Sequence, residues 1–317
     1  MEPPKPVVSI VLPVHNEAKS LPAMLERLRS LLDSDWGKGA EILFIDDHSS
    51  DNSPAILASA CGTQPRCRYL RLAKNSGSHV AILAGLEHAQ GDCAVFLASD
   101  LQDPPELIPR MLELWRAGNH VVWAVRERRD GISWAENFFA RTFYFLLIKL
   151  ARVDLPPQGS DFALLDRAVI DALLQSVGAE PSLGGEIARL GFCQTQIPYI
   201  KERRQFGRSS WTLGRKLKAF ADAFVAFSYV PLRAMSYLGI LCSLLGFVYA
   251  LLIVVLWLFC ARAGQGWPSL MVVILLLGGM QMTMLGVLGE YLWRTLGEAR
   301  RRPRYFLERP ASQTKRK

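Results

Sequence analysis

The sequence predicts an α/β protein: a mostly parallel sheet with helices on both faces, followed by a two-helix hairpin through a membrane. Three observations lead there. Short β-branched runs alternate with segments of helical spacing in the N-terminal part. Acidic and small polar residues gather where those runs end. Near the C-terminus no charged residue occurs over 234–261, and none again over 263–289.

The elements follow in order. VVSIVLPV (7–14) reads as a strand, AMLERLRSLL (23–32) as a helix, EILFIDD (41–47) as a second strand and PAILASAC (54–61) as a second helix. RYLRLA (68–73), the helical SHVAILAGLEHA (78–89) and the strand CAVFLAS (93–99) continue the alternation. Strands alternating with helices argue a parallel sheet buried on both faces, and such sheets bind ligands at the carboxyl ends of their strands. Those ends carry His15, Asn16 and Glu17 after the first strand, Asp46 and Asp47 after the second, and Asp100 after the fourth.

Each uncharged stretch exceeds the roughly 20 apolar residues that cross a hydrocarbon core. Runs such as LLIVVLWLF (251–259) and LMVVILLL (270–277) have no solvated face. The connection over 262–268 is short, so both helices should return to one side. Basic flanks, Arg208, Arg215, Lys216, Lys218 and Arg233 before and Arg294, Arg300, Arg301, Arg302 and Arg304 after, make that side cytoplasmic. The expectation is an inner (plasma) membrane protein, multi-pass, with a cytoplasmic domain at 1–208 and spans within 234–293, about 234–261 and 268–290. Leu213, Leu217, Phe220, Phe224 and Phe227 recur at spacings of an interfacial amphipathic helix over 209–233, and the aromatic segment 134–153 offers another. Residues 294–317 form a basic cytoplasmic tail.

A collar of this kind accounts for 37 basic against 29 acidic residues, a net +8, through anionic lipid headgroups. No nucleic-acid recognition motif accompanies it, which excludes that class. The N-terminus has no apolar leader before a cleavage site. Cys61, Cys67, Cys93 and Cys193 lack C-x-x-C spacing, and Cys242 and Cys260 fall in the apolar stretches. They read as reduced, neither a disulfide framework nor metal ligands. His79 and His88 are too far apart to chelate zinc together.

PVHNE, FIDDHSSDNS, KNSGSHVAILAGLEHAQGD and SDLQDPPELIP occur in the order and spacing of family 2 glycosyltransferases, which the chain resembles. GSDFALLDR (159–167), RQFGRSSW (204–211), FSYVPLR (227–233) and GEYLWRTLGEARRRPRY (289–305) resemble the polyprenyl-phosphate branch, the dolichol-phosphate-mannose-synthase-like and bactoprenol glucosyltransferase group. The resemblance implies a GT-A Rossmann-like fold, with 1–208 as the catalytic domain. It also implies a nucleoside-diphosphate sugar as donor, a polyprenyl (undecaprenyl) phosphate as acceptor, and a divalent ion, Mg2+ or Mn2+. Asp100, supported by Gln102, would hold the metal; Pro13, Asn16, Glu17, Asp46 and Asp47 would meet the nucleotide; Arg204 and Ser209, with Arg167 and Arg203 behind them, would meet the acceptor phosphate. Membrane lipids would be neighbours, and homo-oligomerisation is left open.

Three positions depart from the family pattern. Ala98-Ser99-Asp100 stands where an Asp-x-Asp pair is usual, Ala163 replaces the arginine of DFRLLDR, and Ser210 replaces the lysine after G-x-S. Magnesium commonly binds through one or two carboxylates plus phosphates and waters, so losing one acid weakens such a site without abolishing it. The departures keep open a non-catalytic sugar-nucleotide-binding protein. A processive polysaccharide synthase is disfavoured, since two spans are too few for a channel and Q-x-x-R-W is missing.

Overall fold

A computed structural model describes residues 7–34, 36–127, 161–176, 183–202, 230–260, 266–300 and 303–308. The chain forms two compact units, Met1–Thr212 with Pro303–Lys317, and Leu213–Arg302.

The first unit is built on a seven-stranded sheet. Its elements are β1 (Val8–Val14), α1 (Leu21–Leu32), β2 (Ala40–Asp46), α2 (Ser53–Thr63), β3 (Cys67–Arg71), α3 (Ser78–His88), β4 (Cys93–Phe96), α4 (Ile108–Arg116), β5 (Val121–Arg126), β6 (Ala163–Asp166), α5 (Arg167–Ser176), α6 (Leu183–Arg189) and β7 (Gln194–Tyr199). The strand order is β3-β2-β1-β4-β6-β5-β7. β1 runs parallel to β2 and β4, β2 to β3, and β5 to β7. Only β6 opposes its neighbours β4 and β5. The mostly parallel sheet expected from the sequence is therefore present.

Alternate side chains of each strand feed two separate cores. Ile10, Leu12, Ile42 and Phe44 join Met24, Leu28, Leu57 and Met111 on one face. Val11, Leu43, Ile45 and Phe96 join Ile82, Leu86, Ile170 and Leu173 on the other. Burial of both faces is what makes the strand sequences continuous in apolar character. Helix α3 lies so close to the sheet that a Cβ on Gly85 would run into Val11 Cγ1. At the amino edge, the buried Glu41 accepts hydrogen bonds from Ser9 Oγ (2.6 Å) and Gln90 N (2.6 Å) and pairs with Arg68, so its charge is satisfied within the fold.

Two expectations are corrected. Cys61 and Cys67 are joined by a disulfide across a Cα–Cα distance of 4.7 Å, tying the end of α2 to the start of β3. Sequence spacing could not show that the α2–β3 turn brings the two thiols together. The second unit holds α7 (Val230–Cys260) and α8 (Trp267–Ala299), which pack on each other. Described apolar side chains such as Phe247, Leu276 and Met282 are exposed on them. Among the described residues no helix is long and apolar enough to cross a membrane, which overturns the multi-pass inner-membrane placement and its cytoplasmic topology. The expectation rested on the length and charge-free, apolar character of 234–261 and 263–289 taken whole, whereas the finding concerns the described residues. The expected amphipathic helices over 134–153 and 209–229 lie outside the described residues.

Candidate active site

The carboxyl ends of β2, β1 and β4 lie side by side, so the loops that follow them share one edge of the sheet. Each loop carries one non-glycine residue in the left-handed region: Asn16 (φ 56°), His48 (φ 58°) and Leu101 (φ 63°). Asn tolerates this conformation, whereas a leucine pays a steric penalty there. Leu101 is only 2% exposed, so packing holds it in place. Backbone strain of this kind clusters at functional sites because the surroundings must over-determine it. The conformation at His48 also explains why a glycine suits that turn position.

The first two loops are laced together. Asn16 N donates to Ser49 Oγ (2.9 Å) while Asn16 Oδ1 accepts from Ser50 N (2.8 Å). Glu17 N donates to Ser53 Oγ (3.0 Å), and the Glu17 carboxylate accepts from Ser20 Oγ (2.7 Å). Asp51 accepts from Ala18 N and Ser53 N, both at 3.0 Å. Burial pushes the Asp51 carboxyl up, but the hydrogen bonds from Ser53 and Ala18 outweigh it and hold the group below the usual range.

That direction fixes a pH dependence. A depressed folded value means the unfolded chain takes up the proton first as pH falls. The Asp51 contribution is fully present above the ordinary carboxylate range near about 4 and is lost as pH drops through the folded value. Urea midpoints of wild type and Asp51→Asn should differ at pH 7 and converge below about pH 4. Curves that stay parallel to pH 3 would remove Asp51 from this role.

Asp46 and Asp47 face opposite ways. Asp46 is 0% exposed; it accepts from Ser49 N (2.9 Å) and Tyr69 Oη (3.3 Å) and pairs with Arg71 Nε (3.5 Å). Burial and the Asp46 charge push the Tyr69 hydroxyl up to about 12, so it remains a donor. The Asp47 carboxylate reaches across to the loop before α3, accepting from Ser76 N (2.6 Å) and Gly77 N (2.8 Å). Gly77, the N-cap of α3 at φ 91°, has no capping side chain of its own; Asp47 instead binds its backbone N–H and places a negative charge at the helix N-terminus.

The third loop carries Ser99, Asp100, Gln102 and Asp103. Ser99 Oγ donates to the carbonyl of Pro13 (2.8 Å), and Gln102 N donates to Asp100 Oδ1 (3.1 Å), leaving the half-buried Asp100 at the edge. Asp103, which sequence reasoning missed, is 0% exposed; Tyr199 Oη donates to its Oδ1 (2.5 Å), with Lys201 Nζ at 3.6 Å. Burial and the Asp103 charge push the Tyr199 hydroxyl well above its ordinary range. From outside, Arg27 of α1 grips Glu106 (2.7 Å) and Glu202 (2.8 Å), and Glu202 N donates to the Gln102 carbonyl (2.9 Å). Burial works against the Arg126 charge at the end of β5, but the Tyr199 hydroxyl and Asp161 outweigh it; Asp161 lies at 2.9 Å. A basic residue at a strand's carboxyl end was the signal that could have found Arg126.

The structure thus brings Pro13, Asn16, Glu17, Asp46, Asp47, Asp100 and Gln102 to one edge. Arg204 and Ser209, like Arg203 and Ser210, lie outside the described residues. Arg167 does not belong here: its guanidinium donates to the carbonyls of Ala89 and Gly91 at the amino end of β4. Ala163 is fully buried between Phe96 and Trp123 in the sheet, a core position. Among the described residues no group of three His, Cys, Asp or Glu side chains comes together to hold a metal alone.

Residues 9–174 match the family model of Glycosyl transferase family 2. An uncharacterised glycosyltransferase of Bacillus subtilis, YkcC, is 38% identical over 95% of this chain and 93% of its own length. An undecaprenyl-phosphate 4-deoxy-4-formamido-L-arabinose transferase of Sodalis glossinidius is 35% identical over 96% and 94%. Glucosyl-3-phosphoglycerate synthase from Mycobacterium tuberculosis, solved with Mn2+, UDP-glucose and phosphoglyceric acid, superposes with a TM-score of 0.50 at 19% identity, covering 71% of this chain and 79% of that one. At that identity the likeness concerns the fold.

Proposed function

Since the chain belongs to glycosyl transferase family 2, we propose that it moves a sugar from a nucleoside-diphosphate sugar to a polyprenyl phosphate. The observation that carries the acceptor is the match to the undecaprenyl-phosphate transferase, which runs through both units and 96% of the chain. The strained, hydrogen-bonded edge formed by the loops after β1, β2 and β4 is the donor site. Asn16 and Glu17, laced to Ser49 and Ser53, present the nucleotide-facing surface, while Asp46 and Asp47 act from beneath it by fixing the turn and the start of α3.

The acceptor needs no general base, because a phosphate monoester is already an oxyanion near neutral pH. Its oxygen forms a bond to the anomeric carbon as the bond from that carbon to the diphosphate oxygen breaks, and the electron pair leaves with the nucleoside diphosphate. Positioning and charge control are what the protein supplies. Asp100, with Gln102 beside it, is the residue that would hold a divalent ion, the remaining oxygens coming from the substrate diphosphate and water. The ion would neutralise charge growing on the leaving group. Arg204 and Ser209 are retained as acceptor-phosphate contacts.

Purified protein incubated with radiolabelled nucleotide sugars, polyprenyl phosphate and Mn2+ should release label into the organic phase with one donor. No lipid-borne label from any donor would overturn the reading. The product also has a defined handedness. Direct attack opposite the leaving group, without an enzyme nucleophile, inverts the anomeric centre, so an α-linked D-hexose donor gives a β-linked sugar phosphate. NMR of the extracted lipid reads the configuration, and retention would rule out a single displacement.

A further inference from the structure

After α8 the chain comes back to the first unit. Leu307 forms an antiparallel bridge with Leu72, just past the edge strand β3. Ala73 N donates to the Phe306 carbonyl (2.8 Å), and Glu308 N donates to the Arg71 carbonyl (2.8 Å). Tyr305 Oη donates to Glu87 (2.8 Å) and stacks edge-on against His88, while Arg304 donates to the Leu174 carbonyl near the end of α5. The segment is thus pinned to three elements.

Where it docks is informative. Leu72 N donates to the Asp46 carbonyl (2.9 Å), and the Leu72 carbonyl faces Nδ1 of the strained His48 (3.2 Å). Arg71 links the Glu308 carboxylate (2.9 Å) outside to buried Asp46 (3.5 Å) inside, and donates to the Ser49 carbonyl (3.1 Å). Ser49 in turn receives Asn16 N. An unbroken run of contacts therefore leads from Glu308 through Arg71 to the turn over 46–50 and on to Asn16. Both carboxylates lie against the same Nε, so each attracts the guanidinium whose NH2 group holds the Ser49 carbonyl, and removing the outer charge weakens that hold.

We propose that residues 303–308 are a positioning strap for the donor nucleotide: Glu308 and Arg71 hold the 46–50 turn in its binding shape without touching the substrate. The assignment rests on the reading of that edge as the nucleotide site. Glu308→Gln removes the charge and keeps the backbone donor; Glu308→Pro removes both. In the full-length protein, UDP and GDP affinities measured by calorimetry with Mn2+ should fall about threefold in the first variant, as for an exposed ion pair. In the second the loss should be about tenfold, with a backbone hydrogen bond also gone. The donor KM should rise in parallel while kcat holds.

Amide exchange at Ser49 and Ser50 should quicken in both variants, with exchange over 8–14 in the core of β1 unchanged. Such a split separates a local role from a general loss of stability. Wild-type protein that binds neither UDP nor GDP would sink the nucleotide reading, and the exchange measurement alone would then decide the strap. Unchanged exchange at Ser49 and Ser50 in both variants, or unchanged affinity where the wild type binds, overturns it. If the proline variant does not fold, the same two readouts on Glu308→Gln settle the matter.

Discussion

Asp100→Ala should lower sugar transfer by about 10²–10³-fold, the loss typical of removing one preorganised charge-stabilising group, and leave the fold intact. Asp100 stands at the exit of β4 beside the edge shared by β1 and β2, half-buried, with one oxygen engaged by Gln102 N. Among the described residues of this edge, the other acids are engaged elsewhere. Asp103 is fully buried, with Tyr199 and Lys201 on the same oxygen, and Asp46 and Asp47 are committed to the turn and to α3. Ala98→Asp would restore a second carboxylate two residues before Asp100, and should lower the Mn2+ concentration giving half-maximal rate. Assays should titrate Mn2+ against each variant at saturating donor. Full activity of Asp100→Ala in the presence of chelator would show that the ion is held elsewhere.

The parallel half of the sheet was legible because its signals are local. Continuous apolar runs separated by helical spacing define β1, β2 and β4, and the residues just beyond them define the edge where Asn16, Asp47 and Asp100 meet. What was not legible depends on pairing across distance. Nothing in ALLD says that this four-residue strand inserts antiparallel between β4 and β5, since burial patterns carry no direction. Arg27 meets partners 79 and 175 residues away, and Tyr305 meets one 218 residues away. Arg167 shows the reverse error: a basic residue inside a family-like motif looked like a phosphate ligand, but the antiparallel run of β6 carries it to the amino end of the sheet. The membrane placement of the second unit rested on the length, apolar runs and freedom from charge of two whole stretches, and among the described residues no helix is long and apolar enough to cross a membrane.

The roles of the two adjacent acids also needed coordinates, and Asp47 gives the sharper test. In sequence DD reads as one motif; in the structure the first acid fixes its own turn and the second caps a helix from a different loop. Asp47→Ala removes two charge-assisted hydrogen bonds, to Ser76 N and Gly77 N. Because that loop is largely exposed, water can rehydrate the amides, so the loss of stability should be about 2 kcal/mol rather than the sum of two buried bonds. For a unit of this size that is a fall of about 4–8 °C in Tm. Asp47→Asn should recover little of it, since its carboxamide can turn only one acceptor oxygen toward two N–H groups and its own NH2 repels the other. Donor affinity should fall further than stability, because the loop over 74–77 and the start of α3 lose their fixed distance from the 46–50 turn. Thermal melts and UDP or GDP titrations of the two variants provide the check. A variant that melts like wild type would mean that Asp47 does not hold α3 in place, and that its carboxylate is available to the nucleotide directly.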